Sequence, residues 1–311
     1  MIDFRYHLIS LIAVILALAL GILAGSGFLG GPLLQRLEIE VDDLGHTNDN
    51  LREEIGFQDA LLNEAETFAR DVRPILVDGV LADTEVVLFQ VEGSSGALID
   101  GIRDALIEAG ATLTTEITLG RKFALQSDPA MDELALVTGS VASEPSVLLE
   151  DTARLLGERL AVASTDGDQA SSAVQRLSSL LDDLETAEFL GVSGDAARLV
   201  SEDATFVVVG GGGDRPPFDV ATFVPALAEG LASREGRVLV AESSDSTWGL
   251  VGGLRSDIEA RSVAVTVDNA ETTIGRIAAV LGLESAREGT IGHFGTEAGR
   301  TALIPEPAPS G

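Results

Sequence analysis

The chain has 311 residues and no cysteine, so disulfides, thiolate catalysis, iron–sulfur clusters and cysteine-based zinc or copper(I) sites are excluded. Fifty acidic residues against twenty basic ones give a formal net charge of −30, which repels nucleic acid and excludes it as an expected partner. A chain of this length can bury a hydrophobic core without such cross-links.

The first predicted element is an apolar helix over residues 1–31. No residue from Leu8 to Gln35 is charged, and most are Leu, Ile, Ala or Val. About 20 apolar residues cover the ~30 Å hydrocarbon core of a bilayer, so the segment is predicted to be a transmembrane signal anchor. The alternative is a cleaved signal peptide, because Arg5 precedes the stretch and the small residues 24–26 suit a cleavage site.

A heptad pattern follows and predicts a coiled-coil stalk over residues 32–73. Apolar residues alternate at spacings of three and four, with Asn48 as a lone polar residue at an a position. Because a buried Asn pairs with its counterpart across a two-stranded seam, the pattern predicts a parallel homodimer. The predicted contact residues are Leu34, Leu37, Val41, Leu44, Asn48, Leu51, Ile55 and Leu62.

A single helix packed on its own domain is the alternative for this stalk. Gly45 and Gly56 favour it, because each glycine weakens an isolated helix by ~1 kcal/mol relative to alanine. Pro74 is predicted to end the helix, since its ring clashes with the preceding turn.

Residues 74–300 are predicted to form a soluble α/β domain, followed by a Pro-rich tail over 301–311. Short apolar runs alternate with amphipathic helical patterns, which is typical of strands buried in a parallel sheet. The predicted fold class is therefore an open three-layer α/β/α domain with a mostly parallel sheet. The predicted strands are 86–91, 112–119, 189–194, 205–211, 237–243 and 262–267. The predicted helices are 96–109, two before residue 187, 219–234, and 270–282 with Asp268 and Asn269 as caps.

No catalytic residue, cofactor or metal ligand is predicted from the motifs. His7, His46 and His293 are far apart in the chain, so neither a Ser-His-Asp triad nor a two-histidine metal site is visible. Gly210–Gly213 follows a buried strand, but its spacing fits neither the dinucleotide-binding motif G-x-G-x-x-G nor the P-loop. Asp214 would also repel phosphate. We interpret the glycine run as a turn, and His293 as a structural residue.

A strand-end crevice is the remaining candidate site, for an enzyme or a small-ligand binder. Trp248, the one tryptophan, is predicted to begin a helix and either to pack in the core or an interface, or to line such a pocket. The residues predicted to line the crevice are Glu92, Ser94, Ser95, Glu242, Ser243 and Ser244.

Three stretches carry a resemblance to a known family: the opening FRYHLISLIAVILALALGILAGSGFLGGPLL, the heptad stalk, and the closing TVDNAETTIGRIAAVLGL with GHFGTEAGRTALIP. Together they resemble the actinobacterial copper transport outer membrane protein family MctB, over nearly the whole chain. The resemblance implies an envelope protein that limits intracellular copper and forms a pore in an outer membrane. Copper is a partner by this resemblance alone.

The predicted function is that of a membrane-anchored cell-envelope protein resembling copper transport and homeostasis proteins, with its carboxyl-terminal domain outside the cytoplasm and no enzymatic activity. The alternative is a structural or scaffolding protein that dimerises through its coiled coil and transports nothing. Copper(I) prefers thiolate and thioether ligands, and Met1 and Met131 are the sulfur-containing residues here. A tight copper site is therefore not expected.

Overall fold

The structure, a computed structural model, describes residues 4–163, 170–194, 204–231 and 237–306. Residues 307–311 of the predicted Pro-rich tail lie outside this set, and so do the side chains of residues 26–34. The chain divides into two compact units, Met1–Ala65 and Glu66–Gly311.

The first helix, α1, covers Phe4–Val77 and contains both the predicted membrane segment and the predicted stalk. The prediction that Pro74 ends this helix is wrong. Proline removes one hydrogen bond to the preceding turn, but its fixed φ angle suits a helix, and the Asp78 N–H still donates to the Pro74 carbonyl at 3.1 Å. Val77 is fully buried, which anchors the last turn in the domain.

Seven strands of the described residues form one sheet in the order β3-β2-β1-β4-β5-β6-β7. All neighbouring pairs are parallel except β2 with β3, which is antiparallel. The strands are β1 Glu85–Val91, β2 Thr112–Leu119, β3 Leu190–Gly194, β4 Ala204–Gly210, β5 Val238–Glu242, β6 Val265–Val267 and β7 His293–Phe294. The predicted mostly parallel sheet is confirmed.

Both faces of the sheet are buried, which explains why its strands are continuous apolar runs. In β1, Val87 and Phe89 belong to one hydrophobic core, whereas Val86 and Leu88 belong to the other. This alternation follows from the two-residue period of a strand, which points successive side chains to opposite faces. Each face therefore needs its own layer of helices.

The helices supply those two layers, so the predicted three-layer α/β/α fold is confirmed. Helices α2 and α8 cover one face, and α3 to α7 cover the other. The helices are α2 Gly96–Glu108, α3 Asp128–Thr138, α4 Pro145–Ala163, α5 Ala170–Thr186, α6 Val220–Gly230, α7 Leu250–Ser256 and α8 Thr273–Arg287.

Several local predictions differ from the structure. Three described α-helices, α3 to α5, precede residue 187 instead of two, and β7 was not predicted. Helix α8 is capped by Thr272, whose side chain accepts from the Gly275 N–H at 2.9 Å, and not by Asp268 or Asn269. Helix α7 begins at Leu250, two residues after Trp248.

Candidate functional site

The first candidate surface is the apolar helix segment Phe4–Gly25. It has 22 residues, its most apolar 18-residue stretch has a mean hydropathy of 2.8, and none of that stretch is buried. At ~1.5 Å per residue it is about 33 Å long, which matches the ~30 Å hydrocarbon core of a bilayer. In length and composition it can cross a membrane once, and a signal sequence shares these properties.

The second candidate surface, the heptad face, consists of the predicted a and d residues from Leu37 to Leu62. Its apolar side chains are between 51% and 68% exposed: Leu37, Val41, Leu44, Leu51, Ile55 and Leu62. Asn48 is exposed along the same helix, while the side chain of Leu34 lies outside the described residues. The face is therefore uncovered in the single chain.

Of the remaining heptad positions, Ala65 is exposed, whereas Ala69 and Val72 belong to the domain unit. Ala69 is buried and Val72 is half-buried. Beside them, the Glu66 carboxylate accepts hydrogen bonds from the backbone N–H of Thr273, at 3.3 Å, and from its hydroxyl. Glu66 thereby helps to satisfy the free N–H groups at the start of α8. The heptad positions that are open to a partner therefore end at Ala65.

The six residues predicted to line a strand-end crevice lie at one edge of the sheet but do not form one site. Three follow β1 and three lie at the end of β5, with β4 between these strands. Glu242 is buried, and its carboxylate accepts from the N–H groups of Gly249 at 3.0 Å and Val251 at 2.9 Å. The N–H of Ser244 donates to Glu271 at 3.0 Å. The β5 end therefore uses its polar groups to hold α7 and the loop before α8.

The end of β1 opens onto a cleft of about 460 Å³ beside the end of β4, which we call the switch-point cleft. Within it, Glu92 Oε2 accepts from the Arg121 backbone N–H, and Glu92 Oε1 accepts from Arg121 Nε, both at 2.7 Å. These hydrogen bonds hold the pKa of Glu92 below its ordinary value. The lining residues are Glu92, Gly93, Arg121, Gln126, Asp214, Arg215, Pro217 and Trp248.

The glycine run Gly210–Gly213 forms the turn that brings Asp214 to this cleft. Gly211 has a φ angle of +135°, which glycine adopts without strain. The Gly211 carbonyl accepts from the Ser95 N–H at 3.1 Å, and the Trp248 indole N–H donates to the Asp214 carbonyl at 2.5 Å. The run is thus a hydrogen-bonded turn, and Trp248 is both a buried residue and a wall of the cleft.

A buried ion pair, missed by the sequence analysis, connects α7 to the end of β6. Arg255 Nη1 lies 2.7 Å from Asp268 Oδ2, and the two side chains are 5% and 1% exposed. Asp268 also accepts from the backbone N–H groups of Thr296 at 2.6 Å and Glu297 at 3.1 Å. Arg255 donates to the Phe294 carbonyl at 2.8 Å. The pair therefore holds the loop after β7 against the sheet.

His293 is buried beside this ion pair. Thr266 Oγ1 accepts from Arg255 Nε at 2.9 Å and lies 3.0 Å from His293 Nδ1. The threonine hydroxyl and the imidazole therefore share a hydrogen bond. Burial first, then the charges of Arg255 and Arg261, lowers the pKa of His293 to about 4. A neutral, hydrogen-bonded imidazole supports a structural role.

Within the described ranges, no group of three or more His, Asp or Glu side chains is placed to hold a metal ion. Met131, in α3, is half-buried and packs against the hydrophobic core. The described residues therefore offer a polar cleft and an exposed helix face as candidate sites.

Comparisons with known proteins agree with the family resemblance. The family model described as "Copper transport outer membrane protein, MctB" matches residues 1–305. The chain is 29% identical to a protein of Mycobacterium tuberculosis (strain ATCC 25618 / H37Rv) named "Copper transporter MctB", over 97% of this chain and 99% of that protein. A protein of the same name from Mycobacterium leprae (strain TN) is 28% identical over the same shares of both chains.

Proposed function

We propose, because the chain belongs to the MctB copper transport outer membrane protein family, that it is a membrane-anchored cell-envelope protein acting in copper transport. The observation that carries the proposal is the family match over residues 1–305, which includes the apolar segment, the heptad stalk and the α/β domain together. The relatives named as copper transporters align over 97% of this chain, so the similarity is not confined to a shared fold. The proposed role is transport and homeostasis, and not catalysis.

The proposed role does not depend on a tight copper site within this chain. Copper(I) prefers sulfur ligands, and the chain has no cysteine and two methionines. Of these, Met131 packs against the core of the domain. The protein would therefore limit intracellular copper through its position in the envelope, as part of an export route, and not by storing the ion.

A deletion strain tests this function. Loss of the gene is expected to make cells more sensitive to copper, and the full chain is expected to restore growth. Val14→Arg places a charge in the middle of the apolar segment, where insertion becomes less favourable by about 2.5–3.5 kcal/mol, and should restore growth less well than the unchanged chain. Ile39→Arg, on an exposed position of the same helix beyond this segment, is the matched control. Wild-type copper tolerance in the deletion strain would contradict the proposal.

The uncovered heptad face supports a second, structural role, in which two chains pair through their stalks. Six apolar side chains, more than half exposed, follow the a and d pattern of a coiled coil. If both apolar amino-terminal segments lie in one membrane, the two stalks leave it in the same direction, so the pair is parallel. Asn48 at an a position favours two strands in register. We propose a parallel dimer as the form that holds the α/β domains in the envelope.

The absence of native cysteine makes this dimer directly testable. In a parallel, in-register pair, Leu51→Cys places two thiols across the seam, and mild oxidation of the full chain in detergent should give a disulfide-linked dimer. His46→Cys, on the outer side of the same helix, should give little. Equal cross-linking at both positions, or none at Leu51→Cys, would exclude the proposed seam.

A further inference from the structure

The switch-point cleft lies where the direction of the sheet topology reverses. From β1 the chain moves outwards to β2, and it later returns to β4 on the other side of β1. In open α/β sheets, the loops that follow two such strands separate and leave a crevice at their carboxyl ends, where ligands bind. We propose that this cleft binds a small zwitterion of the class of a free amino acid or a short peptide.

The charges that line the cleft favour this ligand class. Glu92 and Arg121 neutralise each other through the two hydrogen bonds of 2.7 Å. Asp214 and Arg215 also line the cleft, and their side chains make no hydrogen bond or ion pair with the described residues. The cleft therefore has one committed pair and two uncommitted charges of opposite sign.

A ligand with a single charge is a poor match for this lining. A simple anion would be attracted by Arg215 but repelled by Asp214. A simple cation would be attracted by Asp214 but repelled by Arg215. A ligand with a carboxylate and an ammonium group can use both side chains. The planar guanidinium of Arg215 suits a carboxylate, because its parallel N–H groups match the two carboxylate oxygens.

The other residues that line the cleft define its size and hold the two charged residues in place. A volume of about 460 Å³ lies within the range of small-molecule sites. The indole of Trp248 is bound to the Asp214 carbonyl at 2.5 Å, which fixes the backbone that carries both uncommitted charges. The exposed amide of Gln126 can donate to or accept from the polar part of a ligand.

Titration calorimetry on the full chain in detergent tests the proposal, with alanine and alanyl-alanine as zwitterionic probes. Acetate and methylammonium, which carry the same charges singly, are the comparison ligands. At least one zwitterion should bind about tenfold more tightly than either single-charge probe, since hydrogen bonds between charged groups are the strong ones. Binding should also shift the fluorescence of Trp248, the sole tryptophan and a wall of the cleft.

Three variants complete the test. Arg215→Gln and Asp214→Asn, both at exposed positions, should each weaken zwitterion binding about tenfold. Arg70→Gln, at an exposed arginine on α1, should bind as the wild type does. Absence of binding by both zwitterions, acetate binding as tight as theirs, or unchanged affinity in both cleft variants would overturn the proposal.

Discussion

The described apolar side chains from Phe4 to Leu62 point outwards, whereas most of those that follow Glu66 are buried in two cores. Both regions are rich in apolar residues, so hydrophobicity alone does not say what will cover a side chain. A helix buries only a stripe, and a sheet buries two faces when helices lie on both sides. The domain therefore covers its own apolar surface, while the amino-terminal helix needs lipid for one segment and, as we propose, a second chain for the other.

The largest expected effect comes from comparing a buried phenylalanine with an exposed one. Phe123 lies with its ring centroid 5.1–5.5 Å from those of Phe189, Phe218 and Phe223. Phe123→Ala should lower the free energy of unfolding of the domain by about 5 kcal/mol, because it leaves a cavity among these rings. Phe57→Ala, at a 65% exposed position of α1, should change it by no more than about 0.5 kcal/mol. Urea unfolding followed by Trp248 fluorescence measures both, and equal losses would refute the contrast.

Two aspartates make the same comparison for ion pairs. Asp268→Ala leaves the buried Arg255 without its partner and should destabilise the domain by about 4 kcal/mol. Asp49→Ala removes a pair with Arg52 that is 3.7 Å long and about three-quarters exposed, so its effect should stay below about 0.5 kcal/mol. The same urea titration applies. If Asp268→Ala proved as mild as Asp49→Ala, the ion pair would not hold the loop after β7.

His293 makes the stability of the domain depend on pH. Its pKa is about 4 in the folded protein, against an ordinary value of 6.5. As the pH falls, the unfolded chain therefore binds the proton at a higher pH than the folded protein does. The stabilising effect is complete above pH 6.5 and is lost as the pH falls towards 4, by up to about 3 kcal/mol. His293→Asn keeps an acceptor near Thr266 and should flatten the curve.

Subtracting the stability curve of His293→Asn from that of the wild type removes the contributions of the titrating carboxylates, because both proteins contain them. Glu297 is one of these, because burial and then the charges of Asp268 and Glu242 raise its pKa. Parallel curves for wild type and His293→Asn between pH 6.5 and 4 would contradict the assignment to His293.

The smallest expected effect concerns the residue at which the domain unit begins. Glu66→Ala removes the acceptor for the Thr273 N–H and hydroxyl, and should lower the stability of the domain by about 1 kcal/mol, as for a lost helix cap. Glu64→Ala, two residues earlier and exposed, should have no measurable effect. Thermal unfolding of the two variants side by side gives the comparison. A similar change in both would show that Glu66 does not support α8.

Periodicity predicted the strands that are buried on both faces, because a largely apolar run such as VVLFQV is typical of a strand covered on both sides. It failed where the local signal was weak. Strand β7 has two residues within GHFG, and Asp268 resembles a helix cap although it belongs to a buried ion pair. The residues predicted to line one crevice also do not share one site, because the Glu242 carboxylate accepts hydrogen bonds from the start of α7.

The sequence by itself determined the apolar amino-terminal helix, the alternation of strands and helices, and the lack of thiolate ligands for copper. These properties depend on composition and on spacing within one element. The tertiary structure decided that Arg255 meets Asp268, that Ala69 is covered by the chain's own domain, and that Glu92, Asp214 and Trp248 share one cleft. Such contacts depend on strand order, and the periodicity within each strand does not encode which strands become neighbours.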